Sequence, residues 1–356
     1  MLENNTNKQV LKIGNFKVGP GEPTFIIAEA GVNHNGDIKL ALELVHAAKE
    51  SGADCVKFQT FTANDLVSKS SPKAKYQLET TDPKQNQCDM LKALELKIED
   101  FSRLKAECDK LDICFLSTPY NINDVDLLES INAPAYKIAS AMSVESHLLR
   151  YVAKTRKPIL VSTGMCNLDE VLFSVKTMRE AGNNQILIFQ CTTDYPAKLE
   201  DTNLSAMRTI ATKTGALVGY SDHNESFTAS IGSVALGAHA IERHFTIDKS
   251  MRGPDHKASS NPQEFKELVV LIREMEKALG SADKKPSQRE LDNKAAMRRG
   301  IVAGVNLNKN HILTFSDIAF KRPIQGIQPK DYERMIGKRL LNDIDFESPI
   351  NWSDLA

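Results

Sequence analysis

The segment AIERHFTIDKSMRGPDHKASS, residues 240–260, opens like a buried strand yet gathers Glu242, Arg243, His244, Arg252, Asp255, His256 and Lys257 into one short span. Upstream, the apolar run LVGYSDH (217–223) ends on Ser221, Asp222 and His223. One histidine at the end of such a run reads as a satisfied core residue. Two at equivalent run ends, His223 and His244, suit a divalent metal held by few protein ligands and open to substrate, with Mn2+, Mg2+, Co2+ and Zn2+ all admissible. Two further runs, CVKFQT (55–60) and AYKIAS (135–140), carry Lys57 and Lys137 in their middles, where a charge is costly to bury without a partner. One such lysine reads as a structural ion pair. A pair of them, with hydroxyls at neighbouring run ends, favours a pocket for a small multiply charged anion such as a phosphorylated carboxylate.

The elements that would position these groups follow from periodicity. Eight short apolar runs recur: FIIAEAG (25–31), CVKFQT, CFLSTPY (114–120), AYKIAS, PILVSTG (158–164), ILIFQCT (186–192), LVGYSDH and AIERHFT (240–246). Between most of them lie helical patterns such as DIKLALELVHAAKESGA, with apolar residues three and four apart before a glycine stop. Continuous apolar strands alternating with helices predict a covered parallel sheet, and eight such units predict an α/β fold of the closed (β/α)8 barrel type over residues 1–280. An open doubly wound sheet is the competing arrangement; no GxGxxG follows the first strand.

In such a barrel chemistry collects at the C-terminal strand ends. In order these carry Glu29; Lys57 and Gln59; Ser117 and Thr118; Lys137 and Ser140; Ser162 and Thr163; Gln190 and Thr192; Ser221, Asp222 and His223; Glu242 and His244. GVNHNGD after the first strand admits two readings: Asn33, His34 and Asn35 line the site, or they cap the next helix. The polar insert 61–97 reads equally as a substrate-side lid or as a surface excursion. Residues 281–294, charged and aperiodic, read as a linker, and 295–356 as a small β-rich domain.

Composition excludes several classes. The formal net charge of −1 offers no field for nucleic acid or membrane surfaces. With 41% hydrophobic residues and no apolar run near the ~20 residues that cross a bilayer, a globular protein is expected. The start MLENNTNKQV lacks a basic and then apolar leader, so a cytoplasmic location is expected. Six scattered cysteines without a CxxC argue against a zinc knuckle or a disulfide framework.

Ten ordered segments, FIIAEAGVNHNGD, VKFQTF, FLSTPY, YKIAS, ILVSTGM, CTTDYP, GYSDH, IERHFT, GPDHKAS and FKRP, resemble the motifs of the sialic acid synthase family along nearly the whole chain. The C-terminal part is similar to the antifreeze-like (SAF) domain of those enzymes. The resemblance implies condensation of phosphoenolpyruvate with an N-acetylated mannose-type sugar, giving a nine-carbon 2-keto acid, with a divalent metal, Mn2+ or Mg2+, and no organic cofactor. It implies that Lys57, Thr118, Lys137, Ser140, Ser162 and Ser221 hold phosphoenolpyruvate and that His223 and His244 ligate the metal. Glu29, Gln59, Tyr195, Glu242 and Asp255 then face the sugar or the reacting centre. Arg322, in FKRP, reaches the acetamido group of sugar bound in the other subunit of a domain-swapped homodimer.

Three segments depart from the family pattern. Ala141 and Met142 replace a glycine and a carboxylate, Thr193 stands where some members have asparagine, and KRPIQG replaces KRPGNG. These leave the sugar open, since legionaminate and pseudaminate synthases share the framework. Two other functions compete: a different metal-dependent phosphoenolpyruvate aldol synthase with a phosphorylated aldose acceptor, and a carbohydrate-binding module that uses the barrel as a scaffold.

Overall fold

The computed structural model describes residues 9–73, 78, 80–82 and 84–356, and divides into two compact units, one running to Gly280 and one spanning Ser281–Ala356. The first unit begins with an antiparallel hairpin, β1 (Leu11–Ile13) and β2 (Phe16–Val18). Eight parallel strands follow: β3 (Phe25–Gly31), β4 (Cys55–Thr60), β5 (Cys114–Pro119), β6 (Tyr136–Ile138), β7 (Ile159–Ser162), β8 (Ile186–Cys191), β9 (Leu217–Asp222) and β10 (Ala240–His244). The helices of this unit include α1 (Ile38–Glu50), α2 (Ala63–Leu66), α3 (Gln87–Lys92), α4 (Ile98–Lys110), α5 (Ile122–Ser130), α6 (Ser146–Lys154), α7 (Leu168–Glu180), α8 (Ala206–Thr214), α9 (Thr228–Ala235) and α10 (Pro262–Leu279).

The sheet order β5-β4-β3-β10-β9-β8-β7-β6 joins the first strand of the eight to the last, as barrel closure requires. The two end strands, β5 and β6, lie against each other, but no backbone ladder joins them among the described residues. The fold is therefore a near-barrel of the TIM type. The chain reaches the three-residue β6 through Pro134, which has no N–H to give to a ladder.

Alternation along each strand separates two cores. Residues of one parity, among them Ile26, Val56, Phe115, Val161, Ile188 and Ile241, pack outward on the helices. Residues of the other parity, Phe25, Ile27, Cys55, Leu116, Leu160, Leu187, Phe189 and Leu217, fill the barrel interior together with Leu11, Ile13 and Val18 of the hairpin. The hairpin thus belongs to the interior core near the N-terminal strand ends. At the other end the interior parity turns polar, and that change creates the site.

In the second unit, β11 (Gly300–Ala303) pairs antiparallel with β12 (Ile318–Lys321) over a core of Ile301, Leu307, Leu313, Ile327, Leu340 and Ile350. The stretch 281–294, read as a linker, is helical from Gln288 onward: α11 covers Gln288–Met297 although none of it is buried. A local signal suffices, because Ser287 accepts from Glu290 N–H while Glu290 answers the Ser287 N–H in a capping box. No helix among the described residues is long and apolar enough to cross a membrane.

Candidate active site

Continuing the interior parity of each strand by one more step places Glu29, Lys57, Gln59, Thr118, Lys137, Ser162, Cys191, Ser221, His223, Glu242 and His244 around one cavity of about 550 Å³. Lys57 and Lys137, only 3% and 2% exposed, stand at its floor with Glu242 between them. Lys57 Nζ lies 2.8 Å from Glu29 Oε2 and 3.6 Å from Glu242 Oε2, and Lys137 Nζ lies 3.4 Å from Glu242 Oε1. Each lysine also donates to a hydroxyl, Lys57 to Thr118 Oγ1 at 3.2 Å and Lys137 to Ser162 Oγ at 2.6 Å. Ser221 Oγ donates to Glu242 Oε1 at 3.1 Å. The lysines are therefore ion-paired and cavity-lining at once.

Burial and neighbouring charge set the protonation of this cluster. Burial pushes the Glu242 carboxyl up, but Lys137 and Lys57 together outweigh it and hold the group below the usual carboxylate range. For Glu29 burial wins over the attraction of Lys57, and the carboxyl is raised. Burial alone would lower Lys57, but Glu242 and Glu29 more than reverse that, whereas at Lys137 burial prevails over the attraction of Glu242, helped by repulsion from Lys57, and the group is lowered. The floor thus holds two cations that one firmly ionised and one easily protonated carboxyl only partly offset. Such a site accepts a small polyanion.

The histidines stand beside this floor. Their ring centroids are 5.4 Å apart, and the Tyr195 ring lies 4.2 Å from that of His223 and edge-on to His244 at 5.6 Å. His223 Nδ1 is 2.6 Å from Thr192 O, so Nδ1 carries a proton and in the neutral ring Nε2 keeps the lone pair. His244 Nδ1 is buried without a hydrogen-bond partner among the described residues, with Asp255 Oδ2 3.8 Å away. Burial, helped by His223, lowers the His244 pKa, and burial raises that of Asp255 to about 6. Burial also lowers His223, but the Cys191 thiol beside it and the Thr192 carbonyl turn the net shift upward. No cluster of three or more His, Cys, Asp or Glu side chains suited to a metal exists among the described residues. A lone pair fixed at His223 and an unpartnered nitrogen at His244 nonetheless fit a cation held by two imidazoles, with its other positions open.

The loop carrying Asp255 is anchored by the motif after β3. Asn33 Nδ2 donates to Phe245 O and to Ser259 Oγ, Asn35 Nδ2 donates to Arg252 O, and His256 Nε2 meets Asn35 Oδ1 at 3.2 Å. His34 accepts from Gly36 N–H, and Asp37 caps α1 through Lys39 N–H. None of Asn33, His34 and Asn35 lines the cavity. Their work is to tie the first interior loop to the last.

The parity rule also corrects the strand-end reading. Ser117, Thr163, Gln190, Thr192 and Asp222 stand at strand ends yet do not line the cavity. Ser117 Oγ pairs with Thr60 Oγ1, Gln190 Nε2 donates to Thr202 O, and Asp222 binds Arg243. On β8 the inward residue is Cys191, which counting by twos from Leu187 and Phe189 reaches and which the hydroxyl-based reading passed over. Tyr120, Thr193 and Met165 also line the cavity. Of the departures from the family pattern, Ala141 faces the cavity, but Met142 is buried in the outer core and faces no ligand. Gly164 leaves room for a close approach, since a Cβ there would collide with Thr193 Oγ1 and meet Ser140 Oγ at 2.9 Å. Ser140 Oγ accepts the Gly164 N–H at 2.9 Å.

Within the insert, α2 and α3 bring Leu66, Val67, Gln87, Met90 and Leu91 to the cavity wall. Residues 74–77, 79 and 83 of the lid reading lie outside the described residues. Asp255 lines the cavity, while Arg252 and Lys257 are exposed loop charges. Arg322 belongs to the second unit, where it is exposed next to β12.

The pattern of the NeuB family matches residues 44–284, and that of the SAF domain matches residues 298–356. The chain is 42% identical to the N,N'-diacetyllegionaminic acid synthase of Legionella pneumophila, over 95% of this chain and 96% of that protein. It is 43% identical to the N,N'-diacetyllegionaminic acid synthase of Campylobacter jejuni, over 88% of this chain and 95% of the relative. A crystal structure of N-acetylneuraminic acid synthetase from Leptospira borgpetersenii superposes with a TM-score of 0.72 at 30% identity, covering 80% of this chain and 95% of that one.

Proposed function

This chain belongs to the NeuB family, and on that footing we propose that it is a nonulosonic acid synthase joining phosphoenolpyruvate to N-acetylmannosamine or a related 2-acetamido sugar. The products are a nine-carbon 2-keto acid and phosphate. One observation carries the reading: two buried lysines with hydroxyl partners share a cavity floor with two histidines whose ring nitrogens are available.

In this reading Lys57 and Lys137, with the hydroxyls of Thr118, Ser140, Ser162 and Ser221, receive the phosphate and carboxylate of phosphoenolpyruvate and turn its carbon 3 toward the acceptor. Gln59, Tyr195, Glu242 and Asp255 face the open-chain sugar or the reacting centre. His223 and His244 would hold a divalent metal, Mn2+ or Mg2+, which when bound supplies Lewis-acid polarisation of the sugar carbonyl. Carbon 3 bonds to the aldehyde carbon, whose oxygen takes up a proton. Water adds at carbon 2 and gives its proton to Glu29, whose raised pKa makes it the stronger base of the two buried carboxylates. The bond from carbon 2 to the phosphate oxygen then breaks, and the remaining carbon 2 hydroxyl gives its proton to the departing phosphate as the ketone forms. Positioning and fixed charge supply most of the rate enhancement.

Arg322 is assigned, on the family resemblance, to the acetamido group of sugar bound by a second copy of the chain. A second reading of the acceptor, a 2,4-diacetamido-trideoxy hexose, is favoured by the relatives named as N,N'-diacetyllegionaminic acid synthases. The apolar wall of Leu66, Val67, Met90 and Leu91 is consistent with it. Phosphate release from phosphoenolpyruvate, measured with N-acetylmannosamine, its 6-phosphate and the diacetamido sugar in turn, identifies the acceptor. Absence of release with all three, in the presence of Mn2+, overturns the synthase reading.

A further inference from the structure

Tyr120 follows β5 directly, lines the cavity and has no part in the chemistry described above. Its hydroxyl donates to Gln59 Oε1 at 3.1 Å, and the other end of that amide, Nε2, donates to Glu29 Oε1 at 3.2 Å. Glu29 Oε2 meets Lys57 Nζ at 2.8 Å. The direction of this chain follows from the groups themselves. With Lys57 Nζ on Oε2, Glu29 in its ionised form only accepts, so the amide presents its nitrogen to Oε1, and its oxygen then points back and needs a donor. Among these groups the phenol is that donor.

Two independent features show that the arrangement is built into the packing. The Tyr120 ring is set edge-on against Phe61, with centroids 5.8 Å apart at 81°. Its backbone N–H is held by Asp124 Oδ2 at 3.1 Å, the carboxylate that also takes the Asn121 N–H at the start of α5. On the other side, the β3 register shifts between Glu29 and Gly31, and Gly31 sits at φ +53°. A Cβ there would press on Glu29 Oε1 at 3.3 Å and on Gln59 Nε2 at 3.4 Å. The bulge and the glycine leave open the space in which amide and carboxylate meet.

We propose that Tyr120 is a positioning residue: its hydroxyl locks the Gln59 amide with Nε2 toward Glu29, and so holds both side chains in the orientation that the acceptor and the reacting water require. Without that donor the amide loses the partner for its oxygen and is free to turn away from the carboxylate. The phosphoenolpyruvate residues are not part of this chain except through Lys57, which keeps Thr118 and Glu242 as partners outside it. The kinetic consequence rests on the synthase reading, whereas the geometric one does not.

Tyr120→Phe keeps the ring against Phe61 and removes only the hydroxyl. With an intact fold by circular dichroism, kcat/KM for the acceptor sugar should fall about 10-fold, equivalent to about 1.4 kcal/mol, while KM for phosphoenolpyruvate stays within about 2-fold. Combined with Gln59→Ala, the substitution should cost nothing further, because the two act as one unit. A crystal structure of Tyr120→Phe should show the Gln59 amide no longer donating to Glu29. Unchanged acceptor kinetics, or effects of Tyr120→Phe and Gln59→Ala that multiply, would overturn the proposal. If the wild-type protein releases no phosphate with any acceptor, the synthase reading fails by itself. The crystal structure then decides alone, and an amide still seated on Glu29 in Tyr120→Phe refutes the positioning role.

Discussion

Arg243 and Asp222 are register partners on β10 and β9, joined from Nη1 to Oδ2 at 2.7 Å outside the cavity, while His244 and His223, next to them in the chain, line it. One strand step separates the two environments. The guanidinium is saturated: Nε donates to Ser260 Oγ at 2.7 Å, and Nη2 donates to Asn224 O at 2.7 Å and Glu225 O at 3.0 Å. Arg243 therefore pins the chain leaving His223 to the chain leaving His244. Arg243→Met leaves the Asp222 carboxylate buried without its partner and should cost about 3–5 kcal/mol, the usual penalty for breaking a buried pair from one side. Urea unfolding measures this. The double change Arg243→Met with Asp222→Leu should recover part of the loss, and recovery of none would show that the backbone carbonyls, not the pair, depend on the arginine.

Lys57→Met should raise KM for phosphoenolpyruvate by more than about 10-fold, since a point charge is lost from the anion floor. Mn2+ affinity, read by electron paramagnetic resonance, should stay within about 3-fold of wild type because the histidine nitrogens are untouched. The lysine also offsets Glu29 and Glu242, so the variant should unfold at lower urea as well. Loss of stability with an unchanged KM would make Lys57 a structural ion-pair partner only.

His34 is 1% exposed, accepts the Gly36 N–H at Nδ1, and is held to a pKa of about 4 by burial and, second, by His256. Above pH 6.5 it is neutral in both folded and unfolded chains and adds no pH dependence. Below that value the unfolded chain takes up a proton that the folded chain refuses, so stability falls as pH drops from about 6.5 toward about 4, by on the order of 3 kcal/mol. The urea midpoint should follow this fall. In His34→Gln the slope over that window should flatten, and an identical slope in both proteins would assign the acid sensitivity to other groups.

The second-copy role of Arg322 is tested by complementation. Arg322→Ala and His244→Ala chains should each be inactive alone, the latter also binding Mn2+ at least ~10-fold more weakly. Refolded one to one, random pairing makes about half the dimers mixed, each with one whole site, so activity should return to roughly a quarter of wild type. An inactive mixture, with mixed dimers confirmed by native mass spectrometry, rules out sharing of Arg322 between copies.

The eight strands were legible because their apolar runs are continuous and their intervening helices periodic, properties that survive without knowledge of any neighbour. Lys57 and Lys137 were legible for a related reason: a cation inside an apolar run demands an explanation wherever the run folds. The histidines became visible through their equivalent places at two run ends. Family motifs then ordered the remaining site residues along the chain.

What depended on the tertiary structure was which face each strand-end residue occupies and whom it meets. Ser117, Gln190 and Asp222 have side chains as suited to a site as those of Thr118 and Ser221, yet they do not line the cavity, while the less conspicuous Cys191 does. Parity assigns these faces only once the interior residues of each strand are known, and that depends on closure. The partnership of Glu242 with both lysines and the chain from Tyr120 through Gln59 to Glu29 join residues far apart in sequence. Composition and periodicity carry a residue's own preference for burial or water. A hydrogen bond or ion pair across the barrel mouth belongs to two residues at once, and only the curled eight-stranded sheet brings them within reach of each other.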